Sequence, residues 1–501
     1  MLSKYLDKIF RTVHRILGTL LSILFLMWFV TGIVMIYHRF PSASREEKLA
    51  RFEPLGYGTL PLDSIALKNG IGLDSVRSAS LWRYLGQTRY EIGSGYGKRT
   101  EFLADSSEYK VLEEKESIFR IASLWCPSSV EKIDTLYSLE QWIPFGRLKE
   151  DFPIYKFYFS DEDRTQIYIS SKSREVLQQT TRSERIWAWA GAIPHWVYFT
   201  WIRQDVEGWK SLIIWLSVFG IIMLLSGFWM AVRAFRISAR KGNGLRSPYK
   251  KKWYRWHHVF GTVFGIFLLT WILSGMYSLT QIPEWLGREH KQYDSREALG
   301  TGMTDFQRYR LSLSDLLSRN PGRITKVEWK SFGSHPFYQI QFSDGESQCI
   351  DASVPQTAEQ LYLDSAEVRT VVEAVHPGEG VSLSLMEEYD SYYLDLKGKL
   401  PLPVWKIQVD NKDRNVYYID PCSGNSRSFN THSKWQFQLY QGFHSLRYKI
   451  FDGRRGAWTV VMWVLLLGGA FVSLTGVVLG VKYVIRLFRR KRRKTDKEQL
   501  G

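Results

Sequence analysis

Four long runs without a single charged residue constrain this chain more than anything else in it. They are Ile16–Tyr37, Ser211–Val232, Val259–Pro283 and Ala457–Val481, each 22 to 25 residues long. A bilayer core takes about 20 helical residues, so each run is long enough to cross one. Buried helices of soluble folds rarely run so far without a charge. The sequence therefore predicts four spans. The first run exceeds a signal-peptide core and has a partner later in the chain, so it is read as a span too.

Charge orients the spans. Residues 1–15, 233–255 and 482–501 together hold 22 basic and 3 acidic residues. The whole chain carries a net charge of +17, so the remainder is close to neutral. Short basic segments beside spans stay cytoplasmic. The expected order is a tail (1–15), a span (16–38), an outer domain (39–208), a span (209–233), a basic inner loop (234–256), a span (257–283), a second outer domain (284–456), a span (457–482) and a tail (483–501). Both termini are inside. The basic stretches read as topology signals lying on anionic lipid, not as a nucleic-acid surface.

The chain is also an internal duplication. "HRILGTLLSILFLMWFVTG" (14–32) aligns without a gap to "HHVFGTVFGIFLLTWILSG" (257–275). His195 precedes Trp209 by 14 residues and Gly227 by 32, and His444 stands in the same relation to Trp458 and Gly476. "PIYKFYFSDEDRTQIYI" from Pro153 parallels "PVWKIQVDNKDRNVYYI" from Pro403. Each copy is span, outer domain, span, so the repeats are parallel and related by an axis along the membrane normal. Alternating β-formers around turn residues, next to helix-like stretches, read as small α+β outer domains. The aromatics flanking the spans, Trp209, Trp253, Trp256 and Trp458, read as interface belts. No phosphate loop, nucleophile elbow or His-Glu-x-x-His motif is present. Cys126, Cys349 and Cys422 lack metal-ligand spacing, and no Cys-x-x-Cys-His occurs to attach haem covalently.

The histidines carry the chemistry. His14 and His257 are repeat equivalents at the inner ends of spans one and three. Imidazoles facing each other across a helix bundle can supply both axial ligands of a b-type haem. Gly18 and Gly261 follow one turn on and leave room for a flat ring. His257 keeps the His-x-x-x-Gly spacing; His258, about 100° round the helix, is the alternative, or meets a propionate or headgroup. His195 and His444, in aromatic-rich segments at the outer face, form a second candidate pair. His38, at the outer end of span one, competes with them, although its repeat position is Gln281. A structural role for any one of them, as an interface residue, is the plain alternative, and the span glycines can serve helix packing alone.

The doubled H-x-x-x-G…(S/T)G helix, the "DEDR" and "NKDR" turns, the H…W…(S/T)G closing helix and the basic inner loop resemble the PepSY-associated transmembrane family over nearly the whole chain. Its members include iron-regulated inner-membrane proteins and FoxB-type siderophore reductases. The resemblance implies a bacterial inner-membrane protein with four transmembrane helices and two periplasmic α+β PepSY-like domains. It implies two b-type haems, with His14, His257, His195 and His444 as ligands of the haem iron. It also implies outward electron transfer that reduces a ferric siderophore or other ferric chelate. The inner segments are too short for a flavin or nicotinamide domain, so electrons would come from quinol or a separate redox protein. Two other functions fit the same architecture: a haem-free transporter or permease accessory, and a PepSY regulatory module that binds an envelope protein.

Overall fold

A computed structural model describes residues 2–498 except 57–58, 95–97, 105–113, 243, 292, 294–298, 300–304 and 356. Four long helices dominate it: Leu2–Met35, Val206–Arg240, Lys252–Tyr277 and Arg455–Glu498. All four are long and apolar enough to cross a membrane. They outrun the expected spans on the basic side. Lysine and arginine are good helix formers, so the first tail, the start of the inner loop and the last tail continue the helices instead of ending them. Asp205 starts the second helix by accepting the Gly208 N–H at 3.1 Å.

The four pack as a ring, the first against the second and fourth, the third against the same two. Their shared core holds Phe25, Phe29, Met223, Leu268, Trp271 and Leu466. Buried hydroxyls lie among them: Ser22, Thr31, Ser226, Ser274, Ser473 and Thr475. The outward faces instead expose Leu20, Ile23, Trp215, Val263 and Val464. A water-soluble bundle keeps its outward faces polar; here those faces carry large apolar side chains, and small hydroxyl residues lie within the apolar core.

The rest of the described chain holds short helices and fourteen strands, the strands in three antiparallel sheets. The first half contributes β1 (Val76–Tyr84), β2 (Gln87–Ser94), β3 (Lys98–Leu103), β4 (Val130–Leu136), β5 (Ile154–Phe159), β6 (Gln166–Ser170) and β7 (Val176–Thr180). The second half repeats the series as β8 (Ile324–Phe332), β9 (His335–Phe342), β10 (Ser347–Asp351), β11 (Gly380–Met386), β12 (Val404–Asp410), β13 (Val416–Ile419) and β14 (Ser426–Phe429). Each half builds its own four-stranded sheet, β4–β7 and β11–β14.

The third sheet joins the two halves. It has six strands in the order β10-β9-β8-β1-β2-β3, three from each half. The join is β1 against β8, with Ala79 opposite Trp329, Ser80 opposite Glu328 and Leu81 opposite Val327. Both strands have nine residues; matched end to end, Ala79 corresponds to Val327 and Leu81 to Trp329. The pairing is therefore its own mirror under exchange of halves, with a two-fold axis at Ser80–Glu328. Leu81 and Val327 are fully buried there, worth about 1.5–3 kcal/mol each. Cys126, Cys349 and Cys422 are unpaired thiols.

Candidate functional site

Two cavities lie along the helix bundle, and each holds one pair of repeat-equivalent histidines. The inner cavity, about 350 Å³, is lined by His14, His257, Gly18 and Gly261 among others. The outer cavity, about 1290 Å³, is lined by His195, His444, Gly32 and Gly275 among others. The levels are well separated: His14 and Thr31, which touch the two different sites, lie 17 residues apart on one helix, about 25 Å.

All four imidazoles are wired the same way. His14 Nδ1 lies 2.8 Å from the Met223 carbonyl. His195 Nδ1 lies 3.1 Å from the Trp28 carbonyl and 3.1 Å from Thr31 Oγ1. His444 Nδ1 lies 3.3 Å from the Trp271 carbonyl and 3.1 Å from Ser274 Oγ. His257 Nδ1 lies 2.9 Å from Thr475 Oγ1. Carbonyls only accept. The three hydroxyls spend their own protons on backbone carbonyls, Thr31 on Met27, Ser274 on Trp271 and Thr475 on Val472. So Nδ1 carries the proton in every case, and the lone pair sits on Nε2. None of the four Nε2 atoms has a partner among the described residues. A histidine that ligates a metal commonly donates its other ring N–H in this way, which fixes both tautomer and orientation.

The (S/T)G dipeptides explain themselves here. Thr31-Gly32 and Ser274-Gly275 give His195 and His444 a hydroxyl and a bare backbone; a Cβ on either glycine would lie 3.6 Å from the imidazole Cε1. Thr475-Gly476 does the same for His257; at His14, Gly227 supplies the bare backbone while the Ser226 hydroxyl donates to the same Met223 carbonyl that His14 meets. The fit at Gly227 is tightest, where a Cβ would come within 2.7 Å of His14 Cε1. Sequence periodicity marked these dipeptides only as span ends. Their role needed the helix pairing to be known.

His14 and His257 face each other with ring centres 6.1 Å apart. A metal held between two imidazoles, with nitrogen–metal bonds of about 2 Å and roughly 1 Å from each nitrogen to its ring centre, gives about 6 Å. The ring separation therefore matches that of two imidazoles sharing one metal. Among the described residues no cluster of three or more His, Cys, Asp or Glu could hold a bare ion. Two imidazoles per cavity match the number of protein ligands that a haem takes.

His258 also lines the inner cavity, but its ring is engaged on the side of the loop. Its Nδ1 lies 3.0 Å from Ser247 Oγ, and its ring packs between Phe235 and Tyr249. It ties the basic inner loop to the third helix. His38 stacks on Trp187 with ring centres 4.2 Å apart, and it is not among the residues lining the outer cavity.

The outer histidines are held by a brace that also repeats. Helices Arg182–Ala190 and Thr431–Phe437, each begun by a capping box, lead toward His195 and His444. The D-R turns anchor their starts, with the Arg182 N–H donating to Asp163 O and the Thr431 N–H to Asp413 O. Two residues beyond each histidine the chain enters the left-handed region, at Val197 (φ 54°) and Leu446 (φ 50°). Neither residue favours it, and such strain collects at functional sites. The Trp209 and Trp458 indoles then donate to the carbonyls of Trp196 and Ser445, at 2.8 and 2.9 Å. These two tryptophans, read from sequence as interface belts, clamp the residues that follow the histidines.

No family model matches the chain, and no curated protein matches it. The reading of the site rests on its own geometry.

Proposed function

We propose that this chain is a membrane-spanning electron conduit that holds two b-type haems and reduces a ferric chelate on its outer side. In this reading it is a bacterial inner-membrane protein of the PepSY-associated transmembrane family, with both termini cytoplasmic and its sheet domains periplasmic. The observation that carries it is the fourfold repetition of one histidine environment: Nδ1 donated, Nε2 free, and the two members of each pair lining one cavity.

His14 and His257 hold the inner group, His195 and His444 the outer one. When bound, such a group supplies reversible one-electron chemistry, tuned by its axial ligands and burial. The chain's own residues do the rest. Met223, Thr475, Trp28 and Trp271 keep the imidazoles in the ligating tautomer and orientation. Gly18, Gly227, Gly261 and Gly476 keep the space beside the inner pair clear. Arg11, Arg15 and Arg486 line the inner cavity and offer cations to acidic groups there. The outward apolar faces of the helices call for lipid around them.

Each ferric ion takes one electron, and Fe(II) is held less tightly than Fe(III) by hard oxygen chelators, so reduction frees the metal. The donor is quinol or a separate redox protein on the inner side. The test is a ferrous-iron trap outside proteoliposomes that contain the full chain and a reduced quinol. Quinol-dependent ferrous release, lost in His14→Ala and in His444→Ala, supports the reading. Release at the rate of empty liposomes contradicts it.

A further inference from the structure

The mouth of the outer cavity is built asymmetrically. Arg39, Lys397, Arg447 and Arg455 line it, against the single acid Asp395. Asp395 is already engaged, accepting the N–H groups of Lys397 at 3.1 Å and Lys399 at 3.0 Å. None of the four cations has an ion pair, side-chain hydrogen bond or ring contact among the described residues. They repel one another: the Lys397 ammonium is held below the usual lysine range, first by Arg39, then by partial desolvation and Arg455.

The duplication shows that this is no by-product of the histidine frame. The repeat equivalents of Arg39, Arg447 and Arg455 are Ile282, Tyr198 and Val206. The equivalent of Lys397 is Arg147, which packs over Phe145, 5.7 Å from the ring centre, and does not line the cavity. The histidines, their hydroxyls, their glycines and the tryptophan clamps all repeat. The cations do not. A feature needed to hold the common frame would recur in both halves; this one belongs to what enters from one side.

Unpaired like charges converging on a cavity are costly unless an anion completes them. Guanidinium groups match carboxylates in a bidentate fork. The cavity, at about 1290 Å³, exceeds the roughly 300–1,000 Å³ of ordinary small-ligand pockets. We propose that this mouth binds a polyanionic ferric chelate whose exposed groups are carboxylates, in preference to neutral or cationic chelates. The inference rests on the ferric-chelate reading above and names its substrate class. The same oxyanion chemistry is offered by lipid phosphates and by the acidic groups of a haem, and the experiment separates these sources.

The probe is gallium(III) citrate, which cannot be reduced. It is titrated into the detergent-purified full chain, with binding read from the cavity's own tryptophans, Trp28, Trp196, Trp209, Trp271 and Trp458. Binding that weakens with added salt is expected, with Kd raised about tenfold or more in the Lys397→Gln/Arg455→Gln double variant, as for loss of two charge-assisted contacts. Lys399→Gln, outside the cavity lining, keeps the parent Kd, and a neutral gallium trihydroxamate binds parent and double variant alike. Equal citrate affinity in parent and double variant overturns the proposal. So does a fall in haem count in the double variant, which gives the cations to haem acids. Selective loss of anionic-lipid nanodisc binding in that variant, without any citrate effect, gives them to lipid and also overturns it. Cation-dependent citrate binding to protein that contains no haem upholds the anion site while the electron-transfer reading fails.

Discussion

A carbonyl accepts and never donates, and that elementary fact fixes the tautomer of three of the four cavity histidines. The fourth, His257, is fixed by a threonine whose own proton is spent elsewhere. The consequence is pairwise. On the proposed two-haem reading, His14→Ala and His257→Ala should each remove the same inner haem and leave the outer one, halving the haem per chain. His195→Ala and His444→Ala remove the other. His258→Ala keeps both and loosens only the loop held through Ser247. The glycines give a sharper contrast. Gly227→Ala places a methyl 2.7 Å from His14, whereas at Gly476 the nearest ring atom is 3.6 Å away and Ser22 Cβ is at 3.3 Å. Haem content measured by pyridine haemochrome falls in Gly227→Ala and is close to parental in Gly476→Ala; equal loss in both would contradict the packing account.

Individual elements are fastened by buried polar knots that the duplication also repeats. In the β4–β7 sheet, Lys156 lies 2.7 Å from Glu140, which also accepts the Tyr168 hydroxyl. In the β11–β14 sheet, Lys406 lies 2.6 Å and the Tyr418 hydroxyl 2.7 Å from Asp390. Lys156 is the more buried lysine, its side chain 7% exposed against 25% for Lys406. Removing one partner of a buried pair costs about 3–5 kcal/mol. Lys156→Ala should therefore lower the melting temperature of the outer region more than Lys406→Ala; the reverse order would refute the burial argument. His335 gives a pH test. Asp351, 3.1 Å away, and Glu367, 2.7 Å away, raise its pKa to about 10. A folded value above the unfolded one of about 6.5 gives stability that is complete below pH 6.5 and is lost as pH rises through 10. Melting temperature followed across that window falls in the parent and is flatter in His335→Ala. These knots were illegible in the sequence. Lys156, Glu140 and Tyr168 are scattered along the chain, and only the strand register brings them together. The D-R turns and the Trp209 and Trp458 positions were visible as repeated spacing, but not their task of holding the segments that carry His195 and His444.

Taken whole, the molecule is a covalent pseudo-dimer, joined by a shared sheet on one side of the bundle and by helix packing within it. The span positions, the duplication and the histidine equivalences were legible because apolar length and fixed spacing are local signals. The shared sheet was not, because β1 and β8 are about 250 residues apart and edge pairing leaves no local mark. Each proposed haem takes one histidine from each half. Residues 1–245 and 246–501, co-expressed as separate chains, should therefore co-purify with haem, while either half alone holds none. Full haem in one half would break the pairing of His14 with His257 and His195 with His444. The central claim is tested most directly by a dithionite-reduced minus oxidised visible spectrum of the full chain, purified from cells able to supply haem, with a pyridine haemochrome count. The account predicts a sharp b-type α-band and two haems per chain, falling to one in His14→Ala. A purified, folded protein without haem, or one whose haem count is unchanged when all four histidines are replaced, would contradict it.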